Sequence, residues 1–110
     1  MENNFEVIIC IVNKGFTDLV MESAKQAGAK GGTVLSGRGT GNSEAEQFFG
    51  VVVTPEKEVV LILVKTEIRD AVLSAINKGA GMDTKGMGIA FSIPASDVVG
   101  VPGIEPELKG

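Results

Sequence analysis

Histidine, tryptophan and tyrosine are absent from this 110-residue chain, and cysteine occurs once, at Cys10. Without histidine there is no His-dependent catalytic triad and no zinc site of Cys/His type, and one cysteine cannot close a disulfide within the chain. The lone thiol sits in Val7-Ile8-Ile9-Cys10-Ile11-Val12, where a small buried hydrophobe is the expected role rather than a nucleophile. Five Phe are the entire aromatic complement, which leaves little surface on which bases could stack. Ten Lys and Arg against fourteen Asp and Glu give a net charge of −4. Such a field repels phosphate backbones and anionic membranes, so nucleic acid is not an expected partner. The longest apolar runs, 7–12 and 59–64, fall far short of the ~18 residues that a membrane span needs. No basic segment precedes the first apolar run in Met1-Glu2-Asn3-Asn4-Phe5-Glu6, as it would in a secretory signal, so a cytoplasmic location is expected.

What is present is the composition of an ordinary folded domain: 44% hydrophobic and 22% charged residues, far from the signature of intrinsic disorder. The length fits one domain, 1–110, since domains run to roughly 100–200 residues. An internal echo organises it. Glu6-Val7-Ile8-Ile9-Cys10-Ile11-Val12 resembles Glu58-Val59-Val60-Leu61-Ile62-Leu63-Val64, and both read as short, β-branched, buried strands. A helical pattern follows each. Phe16, Leu19, Val20, Ala24 and Ala27 share one helical face in the first. Ile68, Ala71, Val72, Ala75 and Ile76 do so in the second, with Thr66 as its expected cap and Glu67 in its first turn. Gly28 and Gly79 stand where these helices should stop. A third element completes each half, Thr33-Val34-Leu35-Ser36 and Ile89-Ala90-Phe91-Ser92-Ile93.

Two β-α-β units joined by a loop between the second and third strands make a ferredoxin-like βαββαβ sandwich, α+β in class, with two helices on one face of an antiparallel sheet. A sheet with one wet face should alternate apolar and polar residues, and 7–12 and 59–64 do not. Both faces must then be dry while two helices cover only one. Other copies of the chain are therefore expected to cover the second, against the alternative of a merely apolar surface.

Glycine, at 15 residues, is about twice its usual ~7% share. Six lie between Gly28 and Gly41 and four between Gly79 and Gly88, each cluster following a helix. They can be turns that need positive φ. They can equally bring backbone N–H groups close to an anion, with Arg38 and Lys85 supplying positive charge. Neither cluster matches the phosphate-loop or dinucleotide patterns. The connection 37–50 is too long for a tight hairpin, which favours a functional loop. Ser43, Glu44 and Glu46 make its tip polar, and Phe48-Phe49 either pack at its base or contact a ligand or partner. Residues 51–58 read as extended chain turning at Pro55, with Glu56, Lys57 and Glu58 solvated.

Gly31-Gly32-Thr33-Val34 opening the second strand, Gly37-Arg38-Gly39 opening the long loop, the glycine-rich loop after the second helix and the ending Gly88-Ile89-Ala90-Phe91-Ser92-Ile93-Pro94-Ala95-Ser96-Asp97-Val98-Val99-Gly100 together resemble the P-II (nitrogen regulatory) signalling family over nearly the whole chain. That resemblance implies a homotrimer, adenine nucleotides in clefts between subunits, and a long loop that reports the ligand to a partner such as a membrane transporter or a metabolic enzyme. The cleft it implies maps to Gly31, Thr33, Gly37, Arg38, Lys85, Gly86, Met87 and Gly88, with adenine against the strand ending at Ile62 and Val64. The chain departs from the family at three places. Its loop is short and has no Tyr to be uridylylated. The family's Gly-Asp-Gly-Lys run reads Gly86-Met87-Gly88-Ile89, and its basic Ile-Arg-x-Arg segment reads Gly100-Val101-Pro102-Gly103-Ile104. No cofactor is required on this reading. The effector is ADP, ATP or AMP, with a mono- or diphosphate or another small anion favoured where a triphosphate would lack its cations.

The alternative is a metal- or anion-binding trimer or an enzyme on the same scaffold, since fold alone does not fix function. Asp18, Glu22, Glu44 and Glu46 could hold a hard cation but are spaced like solvated charges, and Asn13-Lys14-Gly15 lacks the Arg that an acylphosphate loop needs. No general acid and base stand together in the sequence. An enzyme is therefore not expected.

Overall fold

A computed structural model of the chain describes residues 4–40, 56–82 and 88–101. Six elements follow in order: β1 (Phe5–Asn13), α1 (Thr17–Gln26), β2 (Thr33–Arg38), β3 (Glu56–Lys65), α2 (Arg69–Gly79) and β4 (Gly88–Ala95). The four strands form one sheet in the order β2-β3-β1-β4, and every neighbouring pair is antiparallel. Each helix thus carries the chain past one intervening strand, which is the ferredoxin-like arrangement expected from the repeat. The loop tip 43–46, Phe48, Phe49, the stretch 51–55, and Lys85, Gly86 and Met87 lie outside the described residues.

The β-branched runs form the two central strands because both their faces shed water. Ile8, Cys10 and Val12 of β1 and Val60, Ile62 and Val64 of β3 point toward the helices and are buried, packed with Val20 and Ala24 of α1 and Val72 and Ile76 of α2. Each fully buried Val or Ile contributes about 1.5–3 kcal/mol. Glu6 continues the same row at only 3% exposure, with Arg69 Nη1 of α2 3.4 Å from its Oε1. That ion pair ties the start of α2 to the sheet.

The opposite face is apolar and bare. Register puts Ile9 between Leu61 and Phe91, Ile11 between Val59 and Ile89, and Val7 between Leu63 and Ile93. Ile89, Ile93, Phe91 and Leu63 are among the most exposed large hydrophobic side chains described. Within one chain, no described residue covers this face, so the runs 7–12 and 59–64 stay apolar on a side that the two helices leave open.

Both helices end by the same backbone device. In α1, Gly28 takes φ +111 while its N–H donates to Lys25 O and the N–H of Ala29 donates to Ala24 O, both at 3.1 Å. This is a Schellman turn, in which left-handed glycine closes the last carbonyls. In α2 the corresponding residue is Gly81, at φ +67, with Met82 N–H donating to Asn77 O. Gly79, the glycine expected to stop this helix, is instead its last helical residue. Thr66 does not cap α2 either. It opens a 3-10 turn, Thr66–Ile68, and Ile68 occupies the cap position without a side-chain cap bond.

Candidate functional site

β2 pairs with β3 only as far as Thr33, which lies opposite Leu61. Beyond that point, residues 62–65 of β3 have no described strand beside them on that edge. The segment 28–31 leaving α1 faces them instead across a cleft of about 820 Å³, with Phe5, Ile68, Gly100 and Val101 completing the walls. Gly32 makes this divergence possible. A Cβ there would lie 2.9 Å from Leu61 O, 3.0 Å from Met21 Sδ and 3.2 Å from Ile62 Cγ1, so only glycine lets the chain press onto β3 before turning away. A shallower groove of about 440 Å³ runs on over Thr33, Leu61 and Val7.

Of the residues singled out from sequence, Gly31 and Val64 line the cleft, and Gly31, Thr33 and Ile62 line the groove. Ile62 and Val64 have their side chains in the helix-facing core, at 0% and 3% exposure. They can therefore offer a ligand mainly backbone.

Gly37 and Arg38 stand at the other end of β2. Five residue steps from Thr33 to Arg38 span about 17 Å of strand. There they line a depression of about 380 Å³ with Lys14, Ser36, Glu56, Lys57 and Glu58. Charges at this end are largely paired. Lys14 Nζ lies 3.1 Å from Glu56 Oε2, the Gly15 N–H donates to Glu58 Oε1 at 2.9 Å, and Lys57 Nζ donates to Asn13 Oδ1 at 2.5 Å. Arg38 has no partner among the described residues.

Gly88 lies at that same end but on β4, with β3 and β1 between it and β2, opposite Val12 of β1. Its φ is +153, and a Cβ would strike the Ile11 carbonyl oxygen and crowd Val12. Close approach of β4 to β1 is thus a structural reason for this glycine. One subunit therefore gathers Gly31, Thr33, Ile62 and Val64 at one end of the sheet, Gly37 and Arg38 at the other, and Gly88 apart from both. Lys85, Gly86 and Met87 lie outside the described residues.

The cleft also has residues that sequence reasoning missed: Phe5, Lys30, Lys65 and Ile68. Lys30 carries a legible signal, for it stands between Gly28 and Gly31 within the first glycine cluster, as Arg38 does further on. Lys65, Phe5 and Ile68 carry none, because only register and the path after α1 bring them to the cleft. Among the described residues, no three His, Cys, Asp or Glu side chains are grouped as metal ligands would be. No described helix is long and apolar enough to cross a membrane.

A family model described as nitrogen regulatory protein P-II matches residues 5–103. The chain belongs to the P-II family. Its fold is similar to that in the crystal structure of Arabidopsis thaliana PII bound to citrate, with a TM-score of 0.72 and 27% sequence identity, over 98% of this chain and 92% of that one. A search of the curated proteins finds no match. P-II proteins are signalling regulators, and a trimeric assembly is consistent with the family. A four-stranded antiparallel sheet with two helices on one face, as the repeat predicts, is the fold of this P-II member.

Proposed function

We propose that this P-II protein acts as a cytoplasmic, non-enzymatic sensor: one domain, 1–110, assembled as a homotrimer that binds a small effector between subunits. An adenine nucleotide (AMP, ADP or ATP) is the proposed effector. The long loop 37–50 then signals occupancy to a membrane transporter or a metabolic enzyme, and the glycine-rich loop 79–88 contributes to the site. What carries the reading is the division of the site within one chain. Its two halves sit about 17 Å apart at opposite ends of β2, beside an apolar sheet face that no described residue covers, so a second copy seated on that face supplies what each half lacks.

In this reading Gly31, Thr33 and the backbone at Ile62 and Val64 hold the base, while Gly37, Arg38, Lys85, Gly86, Met87 and Gly88 approach the ligand's acidic part. The loop responds by population shift, since a ligand that prefers one loop arrangement draws the ensemble toward it.

Sedimentation equilibrium tests the assembly, with a mass of three chains expected. A thermal-shift series with AMP, ADP, ATP, cyclic AMP, 2-oxoglutarate and bicarbonate, with and without magnesium, tests the effector. A ligand at 100 times its Kd adds about 2.7 kcal/mol. If no nucleotide moves the melt, the nucleotide assignment is wrong. Turnover of the bound ligand at an appreciable rate would turn the choice to an enzyme.

A further inference from the structure

Among the described residues, the cleft beside β3 is lined by two lysines and no carboxylate. Lys30, on the segment leaving α1, and Lys65, at the end of β3, both line it, and its remaining described lining is glycine, alanine and apolar side chains. Neither lysine has an ion-pair partner among the described residues. In a chain of net charge −4, this is a local reversal of sign.

The depression at Arg38 has a different balance. Lys14, Arg38 and Lys57 share it with Glu56 and Glu58, and two of its three cations already have partners. An anion placed there meets two carboxylates, whereas one placed at Lys30 and Lys65 meets none in the cleft lining. The C-terminal wall, Gly100 and Val101, adds no side-chain charge to the cleft.

Both lysines rise from fixed backbone. Lys30 follows Ala29, which is buried and whose N–H closes the Schellman turn of α1 on Ala24 O. Lys65 lies opposite Phe5 in the β1–β3 ladder, and the next N–H, that of Thr66, donates to Asn4 O at 2.9 Å. The β3 edge at 63–65 has no described strand beside it, and Phe5, Leu63, Ile68 and Val101 offer apolar contact. A volume near 820 Å³ lies within the ~300–1,000 Å³ typical of small-molecule sites.

We propose that Lys30 and Lys65 are the anion-holding pair of this cleft. Its ligand is a small organic anion of nucleoside monophosphate size, with a compact apolar or heterocyclic part against Phe5 and Ile68 and its acidic group turned toward residues 30 and 65. This rests on the effector reading for the cleft's role and replaces its placement of the acidic group. It differs in assigning the charge recognition to the end of the sheet away from Arg38 and the long loop. A triphosphate gains nothing over a monophosphate from the described lining, which holds no third cation.

Isothermal titration of the full chain with AMP, adenosine and citrate tests the pair, using wild type, Lys30→Gln, Lys65→Gln, Arg38→Gln and, as a control on overall charge, Lys78→Gln on α2. The expected result is that AMP binds more tightly than adenosine. AMP and citrate should each lose about tenfold in each of the two cleft variants, the size of one charge-assisted hydrogen bond, while Lys78→Gln binds as wild type. Both cleft lysines are exposed, so unchanged melting curves should accompany the loss. AMP binding that is unaltered in Lys30→Gln and Lys65→Gln, or lost only in Arg38→Gln, overturns the pair and leaves the nucleotide reading standing. Lysine-dependent binding of citrate with no binding of AMP or adenosine does the reverse. If none of the three binds wild type, both fall.

Discussion

Gly79 of α2 packs directly against Ser23 of α1: a Cβ at position 79 would overlap the Ser23 hydroxyl and lie 2.9 Å from its Cβ. The Ser23 Oγ is held there by donating to Leu19 O at 2.8 Å. The hydroxyl could swing aside, but the Cβ is fixed by the backbone of α1. Gly79→Ala should therefore destabilise the fold by about 1–3 kcal/mol, as overpacking does, despite the roughly 1 kcal/mol that alanine ordinarily gains over glycine in a helix. Urea melts of Gly79→Ala, Ser23→Gly and the double variant check this. The double variant should be more stable than the sum of the single losses predicts, because removing the Ser23 side chain vacates the space. Strict additivity would show that the two helices do not meet at this pair.

Burial pushes the Cys10 thiol from 9.0 up to about 11. The neutral thiol is favoured in the fold, whereas an unfolded chain ionises it first. Its stabilising contribution is therefore complete below about pH 9 and is lost as pH rises toward 11, with a slope of at most about 1.4 kcal/mol per pH unit. Between pH values of about 8 and 10.5, wild type should lose stability relative to Cys10→Ala in paired urea melts. An aromatic disulfide reagent should label Cys10 slowly in native protein and rapidly in denaturant, since only the thiolate reacts. Fast labelling of the native protein at about pH 8 contradicts the burial.

Phe91 lies across from Ile9, and Ile9 across from Leu61, in the middle of the bare sheet face. If copies of the chain cover that face, Phe91→Asp places a charge in a dry interface and should convert trimers to monomers in sedimentation equilibrium. The helix-facing core is on the other side of the sheet, so each released chain should retain its far-ultraviolet circular dichroism. Ser74→Asp, on the exposed side of α2, should leave the mass unchanged. A trimer that persists in Phe91→Asp would remove this face from the interface.

How far the sequence discloses this structure follows from the range of each signal. The two β-branched runs and their helical successors announce strands and helices because burial periodicity is local, and the missing alternation marks a second apolar face that the helices do not cover. The strands extend a little beyond the runs, to Asn13 and to Glu56, because ladder pairing continues past the last apolar residue. Gly79 and Gly81 look alike in sequence, yet one serves a helix contact and the other a left-handed turn, a distinction set by the neighbouring helix. The candidate site is less legible still. Gly31 and Arg38 stand seven positions apart in one glycine-rich run but face different depressions, and Lys65 reaches the cleft only through the register of β3.

Gly31 and Gly32 separate turn chemistry from close packing at the cleft. A Cβ on Gly31 meets nothing within 4 Å, whereas one on Gly32 meets Leu61 O, Met21 Sδ and Ile62 Cγ1 at 2.9–3.2 Å. Neither residue has a positive φ, so backbone strain does not distinguish them. Gly31→Ala should then change stability by no more than about 0.5 kcal/mol. Gly32→Ala must push the entry of β2 off β3, since the Leu61 carbonyl is fixed in the sheet while the Met21 thioether can move aside. It should cost about 1–3 kcal/mol and widen the cleft, weakening any ligand held between residues 28–31 and 63–65. Melting curves give the first effect and titration with AMP the second. Equal behaviour of the two variants in both measurements would mean that the chain does not press onto β3 at Gly32 and that the cleft is not shaped there.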